Sequence, residues 1–313
     1  MTDAACLSIA AVERETRLSK DVLRVWEKRY GFPAPGRDAN GERCYPLDQV
    51  ERLRLVKRLM DQGLRPGRLL RLAEDELARL AQRPAAGTAP AHGASALVEE
   101  LLAMVRQDPG GLQPAMGRHL ERLGLGRFVA ELAAPLTAAV GARWEDGSFD
   151  IFDEHVYTEA ATRVLRQALA ALPGMPAAPR ILLTTLPGET HGLGLVMAEA
   201  LLALDGATCI ALGTDTPPAS IVRAATAHRA DVVALSFSAA YPRRQVLPAL
   251  QQLRRLLPAE VALWAGGAGS AACTPIDGVR LLQTLEGGRR ALADWRAEQA
   301  SARTWPPAAA PLP

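Results

Sequence analysis

The chain has 313 residues, which is enough for two or three domains that each bury a core of their own. Hydrophobic residues make up 49% and charged residues 22%, and no apolar run reaches the roughly 18 residues of a membrane-spanning helix. The first residues, MTDAACLSIAAVERE, lack the basic start and apolar core of a signal peptide. Composition therefore argues against a membrane or secreted protein, and we expect a cytoplasmic one without a membrane partner.

Positive charge is concentrated near the N-terminus. The first 83 residues hold 17 Lys and Arg against 13 Asp and Glu, whereas the other 230 hold 19 against 21. This asymmetry indicates an N-terminal module that binds a polyanion.

The four cysteines, Cys6, Cys44, Cys209 and Cys273, form no CxxC pair. We therefore expect buried thiols rather than disulfides or a thiolate metal site.

The first module, residues 1–83, is predicted to be mostly helical. Apolar residues at helical spacing predict helices at about residues 7–16, 21–29, 48–62 and 66–77. Ser8 is expected to cap the first helix, and the turn at residues 18–21 caps the second. Two short helices joined by a tight turn make a helix-turn-helix. The Pro- and Gly-rich stretch Gly31–Tyr45 then predicts a hairpin wing.

The rest of the chain is predicted to form a linker, a helical bundle and a sheet domain. Residues 84–96, rich in Ala, Pro and Gly, predict a flexible linker. Helical patterns from 97 to 175 predict a four-helix bundle. From 176 to 300, strands at about residues 180–185, 208–212, 232–237 and 261–265 alternate with helices, which predicts a Rossmann-like, doubly wound parallel sheet. Residues 301–313 are expected to be a disordered tail. The fold class is thus multidomain α and α/β.

A basic helix and a basic wing follow one another in the first module. The segment RVWEKRYGF from Arg24 to Phe32, with the wing residues after it, resembles the winged helix-turn-helix of the MerR family over about residues 7–72. The resemblance implies that the second helix enters the major groove of double-stranded operator DNA. The expected DNA-contacting residues are Ser19, Lys20, Arg24, Arg29, Tyr30, Arg37, Arg43 and Tyr45. Of these, Arg37 and Arg43 on the wing are expected to contact phosphates, whereas Trp26 is expected in the core.

Three linked motifs occur in the sheet domain, each at the end of a predicted strand. They comprise Glu189, His191, Gly192 and Gly194, then Ser236 and Ser238, then Gly266 and Gly267. Their spacing resembles the cobalamin-binding signature DxHxxG…SxL…GG of the methionine synthase and mutase families. The resemblance implies a cobalamin cofactor, with His191 as the lower cobalt ligand.

The chemistry of these residues suits that assignment. A neutral imidazole binds cobalt well if an acceptor fixes its tautomer, and Glu189 is expected to be that acceptor. Gly192 and Gly194 let the loop approach the corrin and its nucleotide tail. Ser236 is expected to hydrogen-bond the base of that tail, with Gly266 and Gly267 leaving room beside it. The signature's Asp is replaced by Glu189, and its Leu by Ser238, which we expect to be a packing position of little consequence.

The bundle carries a further pattern, Trp144 followed after nine residues by Glu154 and His155. This W-x9-EH pattern resembles the light-sensing cobalamin regulators of the CarH/LitR type. The resemblance implies that Trp144 packs against the adenosyl group on the upper face, with Glu154 beside it. It further implies that His155 becomes the upper cobalt ligand once light has broken the cobalt–carbon bond.

The resemblance covers nearly the whole chain in the same module order. It implies a light-dependent transcriptional regulator, most simply a repressor, that uses adenosylcobalamin as chromophore and is not an enzyme. It also implies a homo-oligomer, dimer or tetramer, that binds operator DNA in the dark and leaves it after photolysis. Two alternatives remain at this point: a light-independent cobalamin-sensing regulator, and a corrinoid protein for methyl transfer. The helix-turn-helix argues against the methyl-transfer protein, which would have no use for it.

Overall fold

The computed structural model describes residues 6–16, 18–38, 41–61, 64–81, 96–173 and 177–303. They divide into two compact units, the N-terminal unit drawn from Met1–Gly93 with Ala142–Phe149 and the C-terminal unit drawn from Ala94–Gly141 with Asp150–Pro313. The predicted linker lies outside the described residues except for Ala96, and the predicted tail lies outside them except for residues 301–303.

The N-terminal unit contains a small antiparallel sheet among short helices. Its elements are β1 (Cys6–Ser8), α1 (Ile9–Thr16), α2 (Lys20–Tyr30), β2 (Gly36–Arg37), β3 (Arg43–Pro46), α3 (Leu47–Asp61), α4 (Pro66–Leu69) and α5 (Glu74–Ala81). The strand order is β1-β3-β2. Gly31 ends α2 in the left-handed conformation, with a φ of 69°, and turns the chain into the wing.

The helix-turn-helix is built on a continuous apolar core. Leu23 and Trp26 of α2 are buried together with Leu53 and Val56 of α3, which confirms the predicted core position of Trp26. Helix α1 begins two residues later than predicted because Leu7 lies in β1, opposite Tyr45 of β3. The Ser8 hydroxyl accepts a hydrogen bond from the Ala11 N–H, as expected of its cap. The single helix predicted from residue 66 is two, because the chain leaves helical geometry between α4 and α5.

The cysteine prediction is wrong for one pair. Cys6 and Cys44 are joined by a disulfide with a Cα–Cα distance of 5.5 Å. Cys6 lies opposite Pro46 and Cys44 opposite Ser8, so the two cysteines are diagonal neighbours across the β1–β3 pair. That distance is within the normal range for disulfides. The 38-residue separation concealed this proximity, while Cys209 and Cys273 remain free and half-buried.

Residues 96–170 form four helical stretches, the number that the sequence predicts for the bundle. They are α6 (Ala96–Gln107), α7 (Pro109–Leu123), a continuous stretch made of α8 (Leu125–Arg127), a π-helical segment (Phe128–Ala133) and α9 (Ala134–Glu145), and α10 (Ile151–Ala170). Among the described residues, the stretch Leu125–Glu145 alone has the length and hydropathy of a membrane-crossing helix. Phe128 and Leu132 within this stretch are buried.

The sheet that follows is fully parallel. Its elements are β4 (Arg180–Thr184), α11 (Leu193–Leu204), β5 (Thr208–Gly213), α12 (Pro218–Ala227), β6 (Val232–Ser236), α13 (Arg243–Leu256), β7 (Ala262–Gly266), β8 (Val279–Leu282) and α14 (Leu285–Arg303). The strand order is β5-β4-β6-β7-β8, and the chain reverses its winding direction between β4 and β6. The predicted Rossmann-like sheet is confirmed, with β8 and α14 as elements that the sequence analysis missed. Ligands of such sheets bind beyond the carboxyl ends of the strands at this reversal.

Helix α11 connects the sheet to the bundle. It packs against α10, α8 and the π-helical segment. An ion pair fastens the contact, with Arg166 Nη1 of α10 lying 2.6 Å from Glu199 Oε2 of α11. Helix α11 starts immediately after the loop that carries His191. The bundle therefore packs against a helix that is directly connected to this loop.

Candidate functional site

The three cobalamin-type motifs meet at the carboxyl edge of the sheet. The loop after β4 carries Glu189 and His191, Ser236 ends β6, and Gly266 ends β7. Thr185 braces the first loop, since its hydroxyl donates to the Glu189 carbonyl at 2.6 Å and accepts from the Asp215 N–H at 2.9 Å. The sheet topology therefore brings together residues that are up to 77 positions apart in sequence.

Glu189 is the centre of this cluster. Its carboxylate is buried, with a side chain that is 1% exposed, and it accepts from the backbone N–H of His191 at 2.9 Å. His191 Nδ1 lies 2.6 Å from the same oxygen, Oε1. Because an ionised carboxylate can only accept, the Nδ1 atom must carry the proton. The nitrogen that would bind a metal is therefore Nε2, and the His191 side chain is 29% exposed at the edge of the sheet.

The environment favours the ionised form of Glu189. Burial opposes ionisation, but hydrogen bonds from His191 and Ser238 outweigh it and hold the pKa of the carboxyl below its ordinary value of 4.5. A charged carboxylate behind the imidazole fixes the ring orientation and makes the opposite nitrogen a better ligand.

Ser238 is part of this cluster, and the prediction that it is a packing position is wrong. Its N–H and its hydroxyl donate to Glu189 Oε2 at 2.7 and 2.8 Å. Its Oγ also lies 3.0 Å from His191 Nδ1, where it can accept a share of the Nδ1 proton. The residue that replaces the signature's Leu therefore supports the carboxylate that orients His191.

Glycines allow the backbone segments beside His191 to approach one another closely. A methyl group at Gly194 would lie 2.9 Å from Ser236 Oγ, and one at Gly192 would lie 3.2 Å from Thr214 Cγ2. Gly267 has a φ of 96°, and a side chain there would collide with the Phe237 carbonyl. A side chain at any of these positions would push apart the segments that follow β4, β5, β6 and β7. The donor set and this cradle fit a corrinoid with a nucleotide tail.

The predicted bundle residues belong to two successive helices. Trp144 is in the last turn of α9 and is half-buried, and Glu154 and His155 are in the first turns of α10. Thr158 donates a hydrogen bond to Glu154 at 2.9 Å, and His155 Nε2 lies 3.8 Å from the other Glu154 oxygen. The His155 side chain is 60% exposed.

The start of α10 is fixed by residues that the sequence analysis did not single out. Asp153 is 1% exposed and accepts two hydrogen bonds from the Arg106 guanidinium, at 2.8 and 2.6 Å. The same carboxylate accepts from the Asp150 N–H at 2.8 Å and completes a capping box. An acidic residue in the first turn of a predicted helix was the available signal, because carboxylates cap helices there.

Several predicted DNA-contacting side chains lie on or near α2. Ser19 caps the helix, because its hydroxyl accepts from the Val22 N–H. Lys20 Nζ lies 3.6 Å from a Glu13 oxygen, and Arg24 Nη1 lies 3.4 Å from an Asp21 oxygen. Exposed pairs of this kind exchange readily with another anion.

The end of α2 and the wing carry the remaining candidates. The guanidinium of Arg29 lies over the Tyr30 ring at 5.4 Å, and Arg37 donates to the Gly41 carbonyl. Arg43 Nε donates to Glu27 at 2.9 Å, which ties β3 to α2. Its side chain is 35% exposed, so Arg43 holds the wing in place as well as facing solvent.

Tyr45 does not belong to the DNA-contacting surface, and its assignment is wrong. It is fully buried, and burial raises the pKa of its hydroxyl. Tyr45 is paired with Leu7 of β1 and is buried in the core, whereas Arg43 lies at the start of β3 opposite Arg37 of β2 and is partly exposed. Its Oη has no hydrogen-bond partner within the described part of the chain.

Known proteins share both halves of this arrangement. The MerR HTH family regulatory protein model matches residues 7–75, and the B12 binding domain model matches residues 179–274. The C-terminal fold is that of the monomethylamine corrinoid protein of Methanosarcina barkeri, with a TM-score of 0.50 and 18% identity over 63% of this chain and 98% of that one. Together, fold and site define a MerR-type DNA-binding regulator with a cobalamin-binding domain.

Two relatives narrow this class. The HTH-type transcriptional repressor CarH of Myxococcus xanthus is 31% identical over 254 residues, covering 80% of this chain and 85% of CarH. The repressor CarA of the same organism is 32% identical over 290 residues, covering 84% and 87%. The chain belongs to the family of CarH and CarA repressors. The predicted MerR and cobalamin resemblances are thereby confirmed, and the relatives agree with a regulator rather than an enzyme.

Proposed function

We propose that this protein is a cytoplasmic, light-dependent transcriptional repressor with adenosylcobalamin as its chromophore. It binds operator DNA as an oligomer in the dark and leaves the DNA after photolysis. The observation that carries the proposal is the Glu189–His191–Ser238 cluster, because a buried carboxylate behind an imidazole presents one fixed nitrogen to a metal. Adenosylcobalamin, when bound, supplies a cobalt–carbon bond that light cleaves.

Residues at the sheet edge would hold the cofactor from one side. His191 offers Nε2 as the lower ligand, while Glu189 and Ser238 keep its ring in one orientation. Gly194 leaves Ser236 Oγ accessible for a hydrogen bond with the nucleotide base. This division gives the imidazole a coordinating role and the serine a recognition role.

The start of α10 serves the upper side. We assign Glu154 and His155 to this face, with Trp144 as the packing partner of the adenosyl group that the family resemblance implies. His155 would be available as a second cobalt ligand, since its exposed ring can turn without breaking a core contact. The ion pair between Asp153 and Arg106 fixes the start of α10, so the His155 ring can rotate while the helix backbone stays in place.

Both sides of the site act on the same pair of helices. A cofactor bound above the sheet edge would contact α10 near Glu154 and His155, and α10 is paired with α11 through Arg166 and Glu199. A shift of α10 therefore changes the surface of the bundle, and this is the change that we connect with loss of the oligomer.

The test compares dark and illuminated protein loaded with adenosylcobalamin. Size-exclusion chromatography and gel shifts with duplex DNA selected from a random pool should show an oligomer that retains DNA in the dark. Green light should give a smaller species that releases it. His155→Ala should behave like the parent in the dark but lack the spectrum of two histidine ligands after light. Glu159→Ala, an exposed change on the same helix, is the matched control.

Two results would count against the proposal. If cobalamin changes DNA binding but dark and illuminated samples elute alike, the protein is a light-independent cobalamin sensor. If His191→Ala binds cobalamin with an unchanged spectrum and affinity, the lower ligand is misassigned.

A further inference from the structure

The outward face of α2 combines charged side chains with one large apolar one. Asp21, Arg24, Val25 and Lys28 share this face at the three- and four-residue spacing of a helix. The opposite face, with Leu23 and Trp26, is buried in the core. Val25 is 55% exposed.

Folding does not account for Val25. The exposed side chain adds nothing to the core, and a β-branched residue is a weaker helix former than Ala, Leu, Lys or Glu. Single exposed hydrophobic residues are ordinary on protein surfaces, so exposure alone decides nothing. The position of Val25 indicates its role, because α2 is the second helix of a helix-turn-helix, and this helix enters the major groove of DNA.

The surroundings of Val25 specify a duplex as its partner. Arg24 precedes it and Lys28 and Arg29 follow within one turn, so positive charge flanks the apolar side chain. The Ser19 hydroxyl is engaged as the helix cap, and the Glu27 carboxylate is engaged by Arg43. The centre of the exposed face thus offers an apolar contact between groups suited to phosphates.

We propose that Val25 contacts the 5-methyl group of a thymine and so sets the base preference at one operator position. The methyl group of thymine is the apolar feature that base pairs present in the major groove, and small apolar side chains pack against it. The inference rests on the DNA-binding role of the module and is independent of light and cobalamin.

Deoxyuridine provides the test, because it removes the methyl group and keeps every hydrogen-bonding group of thymine. Duplexes are first selected from a random pool by the full-length protein, and each thymine of the consensus is then replaced in turn. For the parent, one position should weaken binding about threefold to fivefold, the effect of one buried methyl group. Val25→Ala should bind the thymine duplex more weakly and lose the penalty for deoxyuridine at that position.

Lys28→Ala is the matched control on the same face. It should weaken binding to all duplexes about equally and keep the deoxyuridine penalty, as expected for a phosphate contact. The proposal is overturned if no single replacement affects the parent, or if Val25→Ala keeps the full penalty. A parent that selects no DNA at all would overturn the DNA-binding role together with this inference, whereas normal selection with an insensitive Val25→Ala isolates the failure to Val25.

Discussion

Removal of the Ser238 hydroxyl is expected to loosen the support of His191. Glu189 accepts four hydrogen bonds, two from His191 and two from Ser238, and Ser238→Ala deletes the one from Oγ. A hydrogen bond to a charged group contributes about 1.5–3 kcal/mol. Because three donors remain, we expect the lower end of this range, which corresponds to about tenfold weaker cobalamin binding.

The assay is a cobalamin titration followed by absorption, with the fraction of His-ligated cofactor read from the spectrum. Ser220→Ala is the matched control, since Ser220 makes a hydrogen bond with Arg223 on α12, away from the cluster. Equal affinity and equal His ligation in Ser238→Ala and the parent would refute the supporting role of Ser238.

The same substitution has a consequence for pH dependence. The pKa of Glu189 is lower in the folded protein than its ordinary value of 4.5, which applies to the unfolded chain. The ionised carboxylate therefore contributes fully to the free energy of unfolding above about pH 4.5. This contribution is lost as the pH falls through the lower pKa of the folded state. Ser238→Ala removes one of the causes of that lowering. The free energy of unfolding should therefore differ most between variant and parent near neutral pH, and the difference should shrink below about pH 4. Urea unfolding at several pH values measures it.

Three further outcomes follow from single residues. Tyr45→Phe removes a buried hydroxyl without a described partner, so it should raise stability by about 1 kcal/mol and leave DNA affinity unchanged; weaker DNA binding would restore Tyr45 to the interface. Cys6→Ser breaks the disulfide with Cys44 and should lower the stability of the N-terminal unit by about 2–4 kcal/mol, whereas no effect of dithiothreitol on the parent's melting temperature would count against the bond. Asp153→Asn weakens the pairing with Arg106 and should destabilise the bundle by about 1–2 kcal/mol in urea, and an unchanged midpoint would contradict this.

In the N-terminal unit, the sequence predicted the helices better than the orientation of the wing. The helices have periodic apolar residues, but β3 is four residues long and its burial depends on pairing with β1 and β2. Tyr45 was therefore assigned to the surface although it lies in the core. The Cys6–Cys44 bond was missed for the same reason, because strand register is a tertiary property.

At the sheet edge, the predicted hydrogen bond between Glu189 and His191 is present, and it could be predicted because both residues belong to one loop. The contact between Glu189 and Ser238 spans 49 residues and depends on how β4 and β6 align. A family pattern treats Ser238 as a substitution at a packing position. In the structure, the Ser238 hydroxyl lies 2.8 Å from Glu189 Oε2, so serine at this position adds a hydrogen-bond donor that the signature's Leu would lack.

Helix α11 begins directly after the loop that carries His191, so a movement of this loop would tilt the helix. Its 12 residues span about 18 Å. A tilt of about 10° at Gly192 would carry the far end, near Leu204, sideways by about 3 Å. Leu195, Leu201 and Leu202 are buried along its length, and a close-packed interior cannot absorb a displacement of that size without repacking. A displacement of the loop that carries His191 would therefore require repacking where α11 meets α10.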